Sequence, residues 1–486
     1  MAAGHIKVAL VGLSATAKTS WAQEAHLPYL LSPLGRSRYE LVALCNSTAA
    51  SAEAARARHG LPDTVRTYGD PADLAADRGV DLVVCCTGDD DNDDQDVVDQ
   101  DHDGGSSRAK TAAPALRAGK AVYVEWPVAE SLAAAVQMAA EYAGDGASSA
   151  GSVGGGSVSS FTGSDCSSPS FPGAASNNSI VGLQGRLSPV VRKVKDMLDS
   201  GRVGGVLSSE VRAFGTLQPR EHAAPRRMSR WRGEGRTVGG AGGGCDVVGS
   251  SLAHTLDYVH EVLGEFEAGT MRCRMQVQRP AFAARVGGDE EGEKGSGGVV
   301  PDVPDLVVVH GQLAGFHNAA PDATLSVTYR TGPPFKGQPG LAWTINCERG
   351  EIMITSPSGP YLHSDSYAAD GELEQVTIRV HDFLNDQIIN VHWDWEDWQL
   401  SLPVRARNVA HLYERFGRWW EKTRRREDAV LKSNIGYSTV VGVGGTGNGQ
   451  ALRVAEDDDW PRIQDGIVRL RQLDAMFRQY DSQRLA

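Results

Sequence analysis

Apolar and polar positions alternate in blocks along the first third of the chain, and the blocks read strand, helix, strand, helix. Ile6–Leu13 is an apolar run ending at a glycine, the pattern of a strand covered on both faces. Residues 19–31 follow with helical apolar spacing. Tyr39–Cys45, Asp81–Thr87, Ala121–Glu125 and Ile180–Leu183 repeat the strand pattern, and 48–59 and 131–143 read as helices. Such alternation predicts an α/β unit with a doubly wound parallel sheet and right-handed crossovers.

The segment 188–201 predicts a further helix. Ser188 is placed to cap it, Pro189 suits its first turn, Val190, Val191, Val194, Met197 and Leu198 form one face, and Gly201 closes it. Beyond about residue 205 the period changes to two. Strands are expected at 206–213, 269–278, 304–314, 323–330, 341–347 and 374–380, with a hairpin at Gly350. Helices are expected at 406–421 and 461–480. A Rossmann-like unit, 1–184, is therefore expected before an α+β unit, 185–486, built on an open antiparallel sheet.

Four stretches carry too little apolar surface to offset the entropy of ordering them and read as inserted loops. They are the acidic run 88–105, the Gly/Ser tract 144–178, and the Gly-rich segments 287–298 and 442–449. The acidic run changes how the charge is read. The 486 residues carry a net charge of −13, and nine aspartates fall within 88–103, so setting those nine aside leaves −4. A nearly neutral remainder argues against a phosphate-gripping surface and hence against direct nucleic-acid binding. Seven cysteines without a CxxC pair argue against zinc and against a disulfide framework. No apolar run reaches the length of a membrane span, and MAAGHIKVALVGL lacks the features of a secretory signal, so a cytoplasmic or nuclear location is expected.

A strand followed by Gly12 and a helix is the arrangement that cradles a pyrophosphate. The usual GxGxxG is reduced here to Gly12, Leu13, Ser14, Ala15, Thr16, Ala17, Lys18, with one glycine retained, small residues following and a cation added. By this spacing alone, nucleotide binding and a structural tight turn both remain open. The second strand ends in Asn46 with no acid to hold a ribose hydroxyl, so NAD and NADP are both compatible.

These residues, with YVEWPVAESL (123–132), LQGRLSPVVRKVKDMLDSGRVGGVLSSEV (183–211) and GGGCDVVGSSLAHTLDYV (242–259), resemble the glucose-fructose oxidoreductase/inositol dehydrogenase (Gfo/Idh/MocA) family. Within that family they resemble most the branch of the fungal galactose/lactose-metabolism regulatory repressor. The resemblance implies an NAD or NADP site at Gly12, Leu13, Ser14, Ala15, Lys18, Trp21, Asn46, Thr87, Glu125 and Trp126. It also implies a partner or substrate cleft containing Arg186 and Asp257, and self-association through the C-terminal sheet.

The chain departs from the family where chemistry matters. Sugar dehydrogenases of the family carry Glu-Lys-Pro, whose lysine assists proton transfer; here the segment is Glu125-Trp126-Pro127, and an indole cannot serve as an acid or base at neutral pH. Their second motif places an Asp four residues before a His; here Ser250 stands four before His254, Asp257 remains three after it, and Asp246 lies eight before. His254 is thus the one catalytic candidate, and a semi-buried structural histidine explains it as well. Two readings follow from the resemblance. One is an NAD(P)-binding, repressor-like regulator that holds a transcription-activator segment; the other is an oxidoreductase acting on a sugar or polyol.

Overall fold

The computed structural model describes residues 4–16, 20–87, 108–129, 131–142, 179–215, 247–278, 304–315, 318–357, 359–362, 366–367, 373–435 and 459–485. The four expected insertions and Lys18 and Asp246 lie outside them.

The first sheet is six-stranded and wholly parallel: β1 (Ile6–Val11), β2 (Tyr39–Cys45), β3 (Arg66–Tyr68), β4 (Leu82–Cys85), β5 (Ala121–Val124) and β6 (Ser179–Val181). Its order is β3-β2-β1-β4-β5-β6, so strand order reverses between β1 and β4. Alternate side chains serve opposite faces. Ala9 and Val11 join one buried cluster, while Val8 and Leu10 join the other. Both faces are covered, which is why β4 and β5, at the middle of the sheet, read as unbroken apolar runs.

A π-helical turn (Ala22–His26) leads into α1 (Leu27–Leu31), followed by α2 (Pro33–Arg36), α3 (Ala49–Arg58), α4 (Pro71–Ala76), α5 (Arg108–Arg117) and α6 (Leu132–Tyr142). The start of α3 is fixed by a capping box between Thr48 and Ser51. Next comes α7 (Pro189–Asp199). Ser188 precedes it as expected, but its hydroxyl makes no cap; it reaches the Leu362 carbonyl at 3.4 Å instead.

The second sheet has eight strands: β7 (Val206–Phe214), β8 (Arg272–Gln276), β9 (Leu306–Gln312), β10 (Ala319–Arg330), β11 (Leu341–Cys347), β12 (Gly350–Ser356), β15 (Thr377–Asp382) and β16 (Gln387–Val391). β13 (Ser366–Tyr367) and β14 (Leu373–Glu374) form a separate small ribbon. The order is β16-β15-β12-β11-β7-β10-β9-β8, antiparallel except for the parallel pair β7–β10. That pair escapes sequence reading because a parallel neighbour is chosen by chain path, not by local pattern. Strands β11 and β12 alternate strictly between buried and half-buried positions. Their buried residues, with Val211 and Val327, pack in one cluster with α7 and α8 (Ala253–Leu263).

Three more helices follow: α9 (Asp397–Leu400), α10 (Val404–Ile435) and α11 (Ile463–Leu485). They do not stay with the second sheet. Val409, Leu412, Tyr413 and Phe416 of α10 share a cluster with Val8, Leu10 and Tyr123 of the first sheet. Each large apolar side chain so covered contributes about 1.5–3 kcal/mol. Helix α11 runs against α6 and β8, and the Pro461 carbonyl just before it accepts from Val181 at 2.8 Å. Helices α10 and α11 therefore tie the two sheets together.

Candidate functional site

The carboxyl ends of β1, β4 and β5 meet where strand order reverses, the place where open α/β sheets hold ligands. Gly12 has φ +89°, a conformation side chains rarely adopt. A Cβ there would lie 2.9 Å from the Thr87 nitrogen and 3.0 Å from the Cys86 carbonyl carbon. The end of β1 thus crosses the end of β4 with no room for a side chain. From Gly12 the chain passes through Leu13, whose side chain is fully buried and whose carbonyl accepts from Asn46 Nδ2 at 2.9 Å. The Ser14 carbonyl is bound by the His59 ring at 3.1 Å, and Ala15 and Trp21 pack against the α10-side cluster. Two buried polar atoms at this crevice, Asn46 Oδ1 and Thr87 Oγ1, have no hydrogen-bond partner among the described residues. Unpaired buried groups of this kind are costly unless a ligand or water completes them. A bare Gly12 turn flanked by two such atoms fits a nicotinamide dinucleotide, with Asn46 and Thr87 able to bond its hydroxyls or phosphates.

Glu125 stands directly after β5 and is 6% exposed. Its Oε1 lies 2.8 Å from His26 Nε2, and His26 Nδ1 lies 2.8 Å from the Tyr413 hydroxyl. Burial alone would raise this carboxyl. The hydrogen bond and charge of His26, with smaller help from Trp21 and His254, hold it below the usual carboxylate value. Gly182, at the end of β6, is what admits the carboxylate: a Cβ there would fall 2.2 Å from Glu125 Oε2. His26, Tyr413 and Gly182 were not singled out from the sequence for this place. Two of them come from a turn and a helix 387 residues apart, and no local spacing signals that meeting.

Trp126 is the residue that the resemblance sets at the position of the family's lysine. It is 6% exposed, and its indole N–H donates to the Gly249 carbonyl at 2.7 Å. This ties the first unit to the turn that enters α8. His254, in that helix, makes no hydrogen bond to a described residue. Burial lowers its imidazole below the ordinary histidine value, with Asp257 and Glu125 pulling the other way. The crevice thus brings Glu125, Trp126, Trp21 and His254 together.

Arg186 and Asp257 are engaged with each other. Arg186 holds Asp257 in a two-pronged pair at 2.9 and 2.7 Å and reaches Asp465 of α11 at 2.9 Å. Arg469 pairs with Glu265 at 2.6 Å and approaches Asp257 at 3.6 Å. Burial lowers the Arg186 guanidinium, but the surrounding carboxylates, Asp257 first, raise it well above its usual value. The His260 ring is engaged in the fold, meeting the Gly264 carbonyl at 2.7 Å and Gln472 at 2.8 Å.

Residues 6–148 match the oxidoreductase family with an NAD-binding Rossmann fold, Gfo/Idh/MocA, and residues 189–356 match the Gal80p C-terminal domain family. The chain joins a Gfo/Idh/MocA Rossmann domain to a Gal80p C-terminal-like domain. A dehydrogenase of Aspergillus oryzae, aclE, is 28% identical over 355 residues, 73% of this chain and 78% of its own length. Among solved structures, the transcriptional regulator Gal80p from Kluyveromyces lactis superposes with a TM-score of 0.63 at 16% identity, covering 99% of this chain and 90% of the other. An NAD-binding oxidoreductase from Klebsiella pneumoniae gives 0.58 at 15% identity, with 99% and 98% covered. One from Agrobacterium radiobacter, in complex with NAD+, L-tartaric acid and magnesium, gives 0.56 at 14% identity, with 98% and 97% covered. At these identities the structural likeness concerns the fold. The matched residues hold β1–β5 of the first sheet and β7–β12 of the second, and no described helix is long and apolar enough to cross a membrane.

Proposed function

We propose that this chain is an NAD(P)-binding, repressor-like regulator that works by protein contact and turns over little or no substrate. The observation that carries the reading is Trp126. It stands where the family's proton-transfer lysine belongs, and its indole is buried and bonded to Gly249 rather than free to meet a substrate. The other groups are also disarmed: Ser250 replaces an aspartate, and Asp257 is held by Arg186. General acid–base groups typically contribute about 10²–10⁴-fold each, so losing two leaves activity near background.

In this reading Gly12, Leu13, Ser14, Ala15, Lys18, Asn46 and Thr87 hold the dinucleotide, and Trp21, Glu125 and Trp126 face its nicotinamide half. The dinucleotide supplies or accepts hydride only in the alternative reading; here it acts as the ligand that is sensed. The partner is an activator segment docking at the cleft between the 1–184 and 185–486 units. Self-association uses the open face of the second sheet, and the site of action is the cytoplasm or nucleus. The test is calorimetry with NAD(H) and NADP(H), followed by cofactor absorbance with a panel of sugars and polyols. Binding without turnover supports the proposal. Steady-state turnover on any of them overturns it.

A dehydrogenase reading is favoured by one arrangement, the half-buried His254 beside Glu125, and by the name of the Aspergillus oryzae relative. An imidazole kept neutral by burial can accept a hydroxyl proton. Loss of turnover in His254→Ala, with dinucleotide affinity retained, identifies that case.

A further inference from the structure

The turn after β1 has lost part of what normally holds a pyrophosphate. In GxGxxG the second glycine lets the main chain approach the phosphates, and Ser14 stands at that position here. The turn leads to helices packed on one face of the first sheet, and α5 packs on the other. From that other side a cation reaches the crevice. Arg108 is the first residue of α5, and Ala109 beside it packs in one cluster with Val11, Cys45 and Cys85, the last residues of β1, β2 and β4.

Where the Arg108 head group lies follows from its neighbours. Cys85 and Cys86 turn to opposite faces of the sheet, one in each buried cluster. Burial raises both thiols, and the Arg108 charge pulls both the other way. A single guanidinium felt on both faces sits off the carboxyl end of β4 rather than over either face. At that end a Cβ on Gly12 would strike Cys86 and Thr87, and Thr87 Oγ1 is unpaired. Arg108 is half-buried, and its buried Nε has no hydrogen-bond partner. It forms no ion pair among the described residues, whereas the buried Arg186 and Arg469 both meet carboxylates. A guanidinium stays charged at any working pH and is unfavourable to bury unpaired, and its planar fork matches phosphate oxygens. The ribose 2′ position of a dinucleotide lies on the β2 side, by Asn46, and the pyrophosphate lies at the glycine turn. We infer that Arg108 holds the pyrophosphate of the dinucleotide, in place of the main-chain approach lost at Ser14. The inference rests on the dinucleotide reading above and adds to it the residue that grips the phosphates.

The experiment is calorimetric titration of the full chain with NAD+, NADP+ and ADP-ribose, which share the pyrophosphate, for wild type, Arg108→Met and Arg108→Lys. Melting temperatures are taken on the same samples. Arg108→Met should weaken all three ligands by about 10–100-fold, the worth of a hydrogen bond to a charged group. It should also flatten the fall of affinity with added salt. Arg108→Lys should recover part of the loss, since the charge returns without the fork. Arg108 makes no hydrogen bond to a described residue, so the melting temperature should move by only a few degrees. If Arg108→Met does not fold, Arg108→Gln takes its place, with the same loss expected. Unchanged affinity in the variant, a loss confined to NADP+, or a loss that spares ADP-ribose overturns the inference and leaves dinucleotide binding standing. Wild type that binds none of the three at millimolar concentration removes the dinucleotide reading and the inference together.

Discussion

A methyl group at position 12 would sit against the backbone of Cys86 and Thr87, which cannot rotate away as a side chain can. Gly12→Ala also forces an L-residue to φ +89°, so we expect it to destabilise the fold by about 1–3 kcal/mol and to abolish dinucleotide binding. Urea denaturation and calorimetry check this; unchanged stability would refute the crowding. Gly182 behaves differently, because the atom in its way is the end of the Glu125 side chain. Gly182→Ala should displace the carboxylate from His26 and weaken dinucleotide binding while leaving the melting temperature within a few degrees. Collapse of the fold instead would mean that the carboxylate cannot move.

At the scale of elements, α10 carries the most telling residue outside the crevice. His411 is 4% exposed, and burial, reinforced by Arg415, Arg192 and Arg418, pushes its imidazole down to about 3. The unfolded chain takes up that proton near 6.5, so acid favours unfolding and stability falls as pH drops through the window between those values. The slope is at most about 1.4 kcal/mol per pH unit from this group. Burial lowers His254 and His260 as well, with the same sign. Glu125 acts at lower pH: its depressed carboxyl stabilises above the ordinary glutamate range and loses that effect as pH falls through its folded value. Melting temperature should therefore decline below about pH 6.5, the unperturbed histidine value, and His411→Gln should make the decline shallower. Identical pH profiles for the two proteins would contradict the burial assigned to α10.

For the whole molecule, the Arg186 cluster joins the segment before α7, helix α8 and helix α11 in one set of charges. Removing the cation leaves Asp257, which is 1% exposed, with only the more distant Arg469 at 3.6 Å. Arg186→Met should cost about 3–5 kcal/mol, and Arg186→Met with Asp257→Leu should recover much of that loss, since an apolar pair leaves no charge stranded. Chemical denaturation of the two variants measures the difference. A double variant as unstable as the single one would show that the cluster acts through packing rather than charge.

The strands were legible because period and burial are local properties. A strand covered on both faces must be apolar throughout, as Leu82–Cys85 is, and one covered on a single face must alternate, as Leu341–Cys347 does. The glycine turn after β1 and the missing lysine at Trp126 were equally plain, since each is a residue in a recognisable setting. What only the tertiary structure decided is which distant groups share a charge or a wall. His26 and Tyr413 meet at Glu125 because α10 folds back over the first sheet, and Arg186 closes on Asp465 because α11 crosses to the second. Such pairings depend on the path of the chain in space, and hydrophobic patterning specifies which face a residue takes but not which residue it will find there.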